Sequence, residues 1–315
     1  MKTDIKALKD LFVSRKVQYV KVALTDVDGI LRGKYMHVDK FLKTAESGFG
    51  FCDVIFGWDS QDNLYNFKPS ESKELFTGWH TGYPDQKVKA ILNTERTIPF
   101  EKDTPLFLAE LVDGEVCPRG VLKKTLKHLE LIGYQALSAL EYEFFLFEET
   151  PLSVRDKNFN NLTYFTPGMF GYSILRNSVH SNFYHEILDM CSSMNMSLEG
   201  LHEETGPGVL EAAILVDECL ESADKAVLFK TFMKVLAQRR DLMATFMAKW
   251  SENYPGQSGH IHCSLIDLQQ KPMFSKNNTD GMSQVMLYFL GGLQEYMREF
   301  TVLLAPTVNS YKRLC

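Results

Sequence analysis

Three pairs of ligand-type side chains punctuate this chain in a fixed order, and each pair sits where a strand or a tight reversal is expected. Glu141 and Glu143 stand one residue apart, Glu204 and Glu211 flank Gly206-Pro207-Gly208, and His260 and His262 again stand one residue apart. Residues 135–147 are rich in apolar and aromatic side chains, which predicts a strand with Glu141 and Glu143 on one face, about 6 to 7 Å apart. Phe145 and Phe147 continue that face, so the acidic pair is expected where an apolar floor meets a cleft. The Gly-Pro-Gly segment interrupts two strand-like stretches, 197–202 and 210–215, and a reversal there brings Glu204 back toward Glu211. Half-buried carboxylates repel one another unless a cation lies between them. If 259–265 is a strand, His260 and His262 point the same way, one free to ligate a metal and the other to face a substrate or nucleotide. Hard cations take carboxylate oxygen and bring phosphates with them, so the set points to phosphoryl chemistry rather than hydride transfer or thiol chemistry.

Other readings bound this one. Glu203 competes with Glu204, because both precede the turn. His202-Glu203 does not open a zinc-protease motif, since Gly206 stands where HExxH requires histidine. No GxxxxGK[ST] or post-strand GxGxxG occurs, so Pro255-Gly256-Gln257-Ser258-Gly259 is a flexible turn that lets a ligand approach the backbone, not a Walker loop. Ser222-x-x-Lys225 reads as a helix cap rather than a nucleophile.

With 315 residues, 45% hydrophobic and 23% charged, the chain is long enough for a substantial core and suggests two domains. A net charge of -6 argues against nucleic-acid binding, which relies on a cationic footprint. Six cysteines without CxxC pairing and a start without an apolar signal core predict a cytoplasmic protein with free thiols. Apolar runs such as 285–293 are far short of the roughly 20 residues that cross a bilayer, so no membrane span is expected.

The pattern changes near residue 105. Before it, short β-rich runs at 19–24 and 87–92 alternate with turn signals such as Asp28-Gly29 and Asp62-Asn63, predicting a small α+β unit over 1–105. Beyond it, over 106–315, helices alternate with strands. Pro118 and Gly133 bracket a helix with Leu122, Leu126, Leu129 and Ile132 on its apolar side; Phe183, Ile187, Met190 and Met194 mark a second; Leu228, Phe232, Val235 and Leu236 a third. A fourth runs over 282–304, ending before Pro306. Residues 67–74 are expected to form a mobile loop.

Four stretches in this order resemble the glutamine synthetase superfamily: Glu141-Tyr142-Glu143-Phe144-Phe145, the run from Glu204 to Glu211, Gly256 through His260 and His262 to Ser264-Leu265, and Asn309-Ser310-Tyr311-Lys312-Arg313-Leu314. Tyr83-Pro84-Asp85 also fits the family's amino-terminal β-grasp domain. The resemblance covers essentially the whole chain and implies an α+β architecture: a β-grasp domain over 1–105, then a catalytic domain, incomplete at its carboxyl end, whose antiparallel sheet with flanking helices forms half of a funnel-shaped site. It implies that Glu143, Glu204 and Glu211 hold one Mg²⁺ or Mn²⁺ and that Glu141 and His260 help hold a second. It places His262 and Ser264 near the nucleotide, Gly256 near substrate glutamate, and Arg313 as a catalytic and substrate-binding group on the glutamate carboxylate or the phosphoryl group. The implied reaction is ATP-dependent phosphorylation of the glutamate γ-carboxylate followed by attack of ammonia or an amine, in a ring-shaped homo-oligomer with inter-subunit active sites.

Departures qualify the expectation. Val209 stands where the family usually has Gln, and Gln257-Ser258 replaces Ser/Asn-Gly, which suggests a branch joining glutamate to an alkylamine or polyamine. Asp53, Asp59 and Asp62 compete for the ammonium-pocket role. Family chains continue past the Asn309–Leu314 stretch with a flap Glu, phosphate-facing arginines and a further Glu ligand for the second ion. A chain ending at Cys315 is therefore expected to bind metal with an incomplete second site, and to be a poor or inactive ligase. Losing one such interaction commonly costs on the order of 10² to 10³ in rate. The competing expectation is a non-catalytic structural or assembly member of the family.

Overall fold

A computed structural model describes residues 5–65, 76–101, 104–113, 116–276 and 279–314. The expected loop at 67–74 lies outside the described residues. The chain forms two compact units, Met1–Thr125 with Ser193–Asn195, and Leu126–Ser192 with Met196–Cys315.

The first unit contains α1 (Ile5–Ser14), β1 (Tyr19–Thr25), β2 (Leu31–His37), α2 (Val38–Thr44), β3 (Phe49–Cys52), β4 (Asp85–Ala90), β5 (Arg96–Thr97) and β6 (Pro105–Leu111). The sheet runs β2-β1-β6-β4-β3 with β5 beside β6, and the β1–β6 pair is parallel. Val20, Val22 and Leu24 of β1 are buried, and Phe12, Phe41 and Phe107 bring α1, α2 and β6 into one aromatic cluster. The predicted run at 87–92 appears as β4, displaced toward the amino terminus.

From α3 (Pro118–Leu131) the chain enters β7 (Tyr134–Phe147), α4 (Pro151–Asp156), α5 (Ile174–Val179), α6 (Ser181–Ser193), β8 (Leu198–Glu203), β9 (Val209–Ile214), β10 (Asp217–Glu218), α7 (Cys219–Gln238), β11 (Met243–Thr245), β12 (Gly259–Asp267), α8 (Gln284–Leu304) and α9 (Val308–Leu314). The second unit's sheet is built around β7. Every pair in it is antiparallel, with β12 and β11 on one edge of β7, β9 and β10 on the other, and β8 outside β9.

The two faces of β7 have separate jobs, as a period of two requires. Tyr142 and Phe144 meet Phe229 of α7, Tyr142 stacking on it at 5.8 Å. Phe145 and Phe147, on the Glu141–Glu143 face, pack against Trp250. Four successive residues, Phe144 to Phe147, are completely buried, so the strand is clamped at the end next to the two glutamates.

Two local expectations are corrected. Ser222 does not cap a helix: α7 begins at Cys219 with Glu218 at its N-cap, and Ser222 lies inside the first turns, fully buried. Strand β10 feeds directly into α7, which moves the helix start upstream, and Lys225 is used instead to pair Asp217 at 2.5 Å. Ile132 is not part of a buried stripe; it follows the end of α3 and is exposed. Helix α8, capped by Ser283, whose Oγ accepts from Met286 N–H at 3.1 Å and donates to Met273 O, begins two residues inside the expected span and buries none of its residues. Among the described residues no helix is long and apolar enough to cross a membrane, and Cys52, Cys117, Cys191, Cys219 and Cys263 are free.

Candidate active site

The sheet register assembles the acidic and imidazole groups in rows. His260 of β12 lies opposite Glu141 of β7, which lies opposite Ala213 of β9. In the next row Glu143 faces Glu211, and Glu211 faces His202 of β8. Three strands thus present Glu141, Glu143, Glu211 and His202 from one face.

Two groups of candidate ligand atoms result. Glu141, Glu211 and His260 form one, and His202, Glu204 and Glu211 the other; within each, one atom per residue lies within 4.8 Å of the rest. Glu211 belongs to both. Glu141 is bracketed by His260 Nδ1 and His262 Nε2, each 3.1 Å from one of its oxygens. Burial raises its carboxyl, but the contacts with His262 and His260 outweigh that and hold it below the usual carboxylate range. Glu211 goes the other way: burial raises it, His202 opposes, and Glu141, Glu143 and Glu204 add repulsion that leaves it raised.

Glu204 follows β8 at the Gly206-Pro207-Gly208 reversal. Its Oε1 accepts from Thr205 N–H at 2.7 Å and Thr205 Oγ1 at 2.8 Å, leaving Oε2 toward His202 Nε2 at 3.5 Å. Burial raises Glu204, and the Thr205 bonds with His202 bring it net lower. The reversal needs glycine at 208: its φ is +70°, and a Cβ there would run into the Leu146 carbonyl oxygen. Glu203 is buried and faces away from this group, toward Arg176 at 3.9 Å.

Glu143 is held differently. Ser258 donates to it through N–H at 3.0 Å and Oγ at 3.1 Å, so its oxygens are committed to the 255–259 loop and it joins neither group. That loop is closed by Gln257 N–H donating to Ala248 O at 2.7 Å. It also receives α9. Asn309 accepts from Lys249 N–H at 2.6 Å and donates back to Lys249 O, pairing with one residue's backbone as a strand would. The Arg313 side chain then lies against Gly256, where any Cβ would overlap its Cδ and the Ala248 oxygen. Arg313 and Gly256, both singled out from sequence, are in contact.

His262 and Ser264 line a cavity of about 270 Å³ with Glu141, Leu137, Ala139 and Cys263. Asp53, Asp59 and Asp62 are each engaged within the first unit. Asp53 is buried and accepts from Thr77 Oγ1 at 2.6 Å and Gln86 Nε2 at 3.0 Å; Asp59 accepts from the Gln61 and Asn63 N–H groups; Asp62 pairs with Arg32 at 2.6 Å.

Sequence reasoning missed His202 and Tyr172. His202 lies two residues before Glu204, a spacing that could have suggested a shared strand face. Tyr172 stacks on the His202 ring at 4.2 Å and 13°, and its N–H donates to Glu203 O at 2.7 Å. The two residues stand thirty positions apart, which gives that contact no local signature.

The donor set fits divalent cations. Carboxylates are the hard ligands of Mg²⁺ and Mn²⁺, the imidazoles add nitrogen, and one atom from each of three residues lies within 4.8 Å of the others in both groups.

Comparison with known proteins agrees with this arrangement. The family described as glutamine synthetase, catalytic domain, matches residues 115–315. The chain is 44% identical to type-1 glutamine synthetase 2 of Dictyostelium discoideum over 95% of its own length and 57% of that protein's. It is 32% identical to a glutamate–isopropylamine ligase of a Pseudomonas species, covering 99% of this chain and 68% of the relative. It is 31% identical to the gamma-glutamylethanolamide synthetase GlnA4 of Streptomyces coelicolor, with 98% and 66% covered. The chain thus spans between about half and two thirds of the length of these relatives. Ligand-free GmaS superposes with a TM-score of 0.80 at 22% identity over all of this chain and 69% of its own, which establishes the shared fold. On the matching domain and these relatives, the chain belongs to the glutamine synthetase family.

Proposed function

We propose that the chain carries the metal-binding and glutamate-facing part of an ATP-dependent ligase that joins the γ-carboxylate of glutamate to ammonia or an amine through γ-glutamyl phosphate. The observation that carries this reading is the pair of ligand groups sharing Glu211 on one sheet face. Glu141 with His260 serves one Mg²⁺ or Mn²⁺, and Glu204 with Glu211 the other, with Glu143 at the margin on its Ser258 bonds. Bound divalent cations neutralise charge on a transferring phosphoryl group and its leaving oxygen. The chain's own residues position the partners. The Glu141–His262–Ser264 cavity suits the nucleotide side, and Arg313, fixed by Asn309 and Gly256, offers its guanidinium to the glutamate carboxylate or the phosphoryl group.

The names of the Pseudomonas and Streptomyces relatives support an amine in place of ammonia, as does Val209 at the usual Gln position. The same reading assigns residues 1–105 to a β-grasp domain, the assembly to a ring with shared active sites, and the protein to the cytoplasm.

Amine-dependent ADP release tests it, with glutamate, Mg²⁺ and an amine panel. Because the chain spans only part of its relatives, it is assayed alone and fused to the remaining catalytic-domain segment of the Pseudomonas relative. Release that needs both glutamate and an amine and is abolished by Glu211→Ala supports the ligase. ADP release indifferent to glutamate and amine in both forms contradicts it.

A further inference from the structure

We propose that His202 is a direct nitrogen ligand to the divalent ion held by Glu204 and Glu211, with Tyr172 fixing its ring. This rests on the reading that those carboxylates bind a divalent cation, but it names a ligand of a different chemical class. The Nε2 atom of His202 is shielded from solvent and makes no hydrogen bond. It points between Glu204 Oε2 at 3.5 Å and Glu211 Oε2 at 3.8 Å. Atoms bound to one small cation at about 2.0 to 2.2 Å stand apart by distances of this order. A buried ring nitrogen without a bond is costly unless something fills the space in front of it. A cation placed there satisfies the nitrogen and both carboxylates at once.

The ring is held for that purpose from two sides. Strand β8 fixes its backbone opposite Glu211, and Tyr172 lies flat against its face. Tyr172 reaches that position in a left-handed conformation, φ +58°, secured by its N–H bond to Glu203 O. A non-glycine residue kept at positive φ is strained, and such strain gathers where a side chain must be placed for function. Imidazole in the donor set moves preference away from Mg²⁺, which favours all-oxygen shells, toward Mn²⁺ and later transition metals.

The test uses Mn²⁺ as probe and electron spin-echo modulation from ligand ¹⁴N as readout. The background is His260→Gln/His262→Gln, which removes the two imidazoles beside Glu141. We expect nitrogen modulation to persist in that background and vanish when His202→Gln is added, with Mn²⁺ affinity falling about tenfold or more and Mg²⁺ affinity changing less. Tyr172→Phe keeps the signal and Tyr172→Ala weakens Mn²⁺ binding. Modulation absent from the His260/His262 background while Mn²⁺ is still bound overturns the assignment, as does modulation surviving the triple substitution. If the unsubstituted chain binds no Mn²⁺, the cation reading itself fails, and this inference with it. Metal-free melting curves separate a misfolded variant from a ligand loss, and His202→Asn provides a second, shorter replacement.

Discussion

The two ligand groups share Glu211 yet are built by different means. The Glu141–Glu211–His260 group is held by register: three neighbouring strands put one residue each into adjacent rows, and nothing beyond strand pairing is needed to align them. The His202–Glu204–Glu211 group is held by a turn and a stack: Glu204 is aimed by Thr205 at the Gly-Pro-Gly reversal, and His202 by Tyr172. The electrostatics follow the same division. Glu141 has two histidines at 3.1 Å and is held low, whereas Glu211 is raised by burial first and by the neighbouring carboxylates second. The proposed function gives each group one cation and makes Glu211 the ligand they share.

The largest expected effect is at the shared residue. Glu211→Ala should abolish stabilisation of the protein by Mn²⁺ or Mg²⁺, which at 100 times the dissociation constant amounts to about 2.7 kcal/mol for each ion bound; thermal melting with and without metal reads it. Next comes a change outside both groups. Gly256→Ala forces Arg313 and the 248–257 loop apart, so ligase turnover in the fused protein should drop by about 10²-fold, the scale of a misplacement of about 1 Å. Metal-dependent stabilisation should survive that change, because neither group touches Gly256. Glu141→Ala should remove one group and spare the other, halving the Mn²⁺ bound per chain in an equilibrium titration.

The smallest effect concerns pH in metal-free protein and divides the two carboxylates by sign. Glu141 is lowered by folding, so its contribution to stability is present above the ordinary carboxylate range and is lost as pH falls through its depressed value. Glu211 is raised, so it favours the folded state only while protonated, and that benefit disappears as pH rises through its elevated value. Denaturant titrations at neutral pH should therefore show Glu141→Gln less stable, and Glu211→Gln more stable, than the unsubstituted chain. The same direction for both would remove the electrostatic distinction between the groups.

What was legible in the sequence follows the same line. Strand β7 was readable because its aromatic run is continuous, and the expected span 135–147 differs from Tyr134–Phe147 by one residue. Helix α6 was readable because Phe183, Ile187 and Met190 recur at helical spacing, and all three are buried; Met194, the fourth of the expected set, lies just past its end. His202 and Tyr172 were not, since their stack joins residues thirty apart through a loop with no periodicity. Ser222 was misread because local capping chemistry carries no information about the strand that starts the helix earlier. Helices α7 and α8 show the same limit at larger scale. Both are long and apolar, yet α7 buries ten residues against the sheet and α8 buries none. Periodicity announces an amphipathic helix; what lies over its apolar face is a tertiary fact.

Glu211 is the one residue that both proposed cations need. Mn²⁺ binding measured by equilibrium titration with electron paramagnetic resonance should give two ions per chain, one for each ligand group, and loss of both in Glu211→Ala. Two ions retained by Glu211→Ala, at unchanged affinity, would contradict the shared-ligand site.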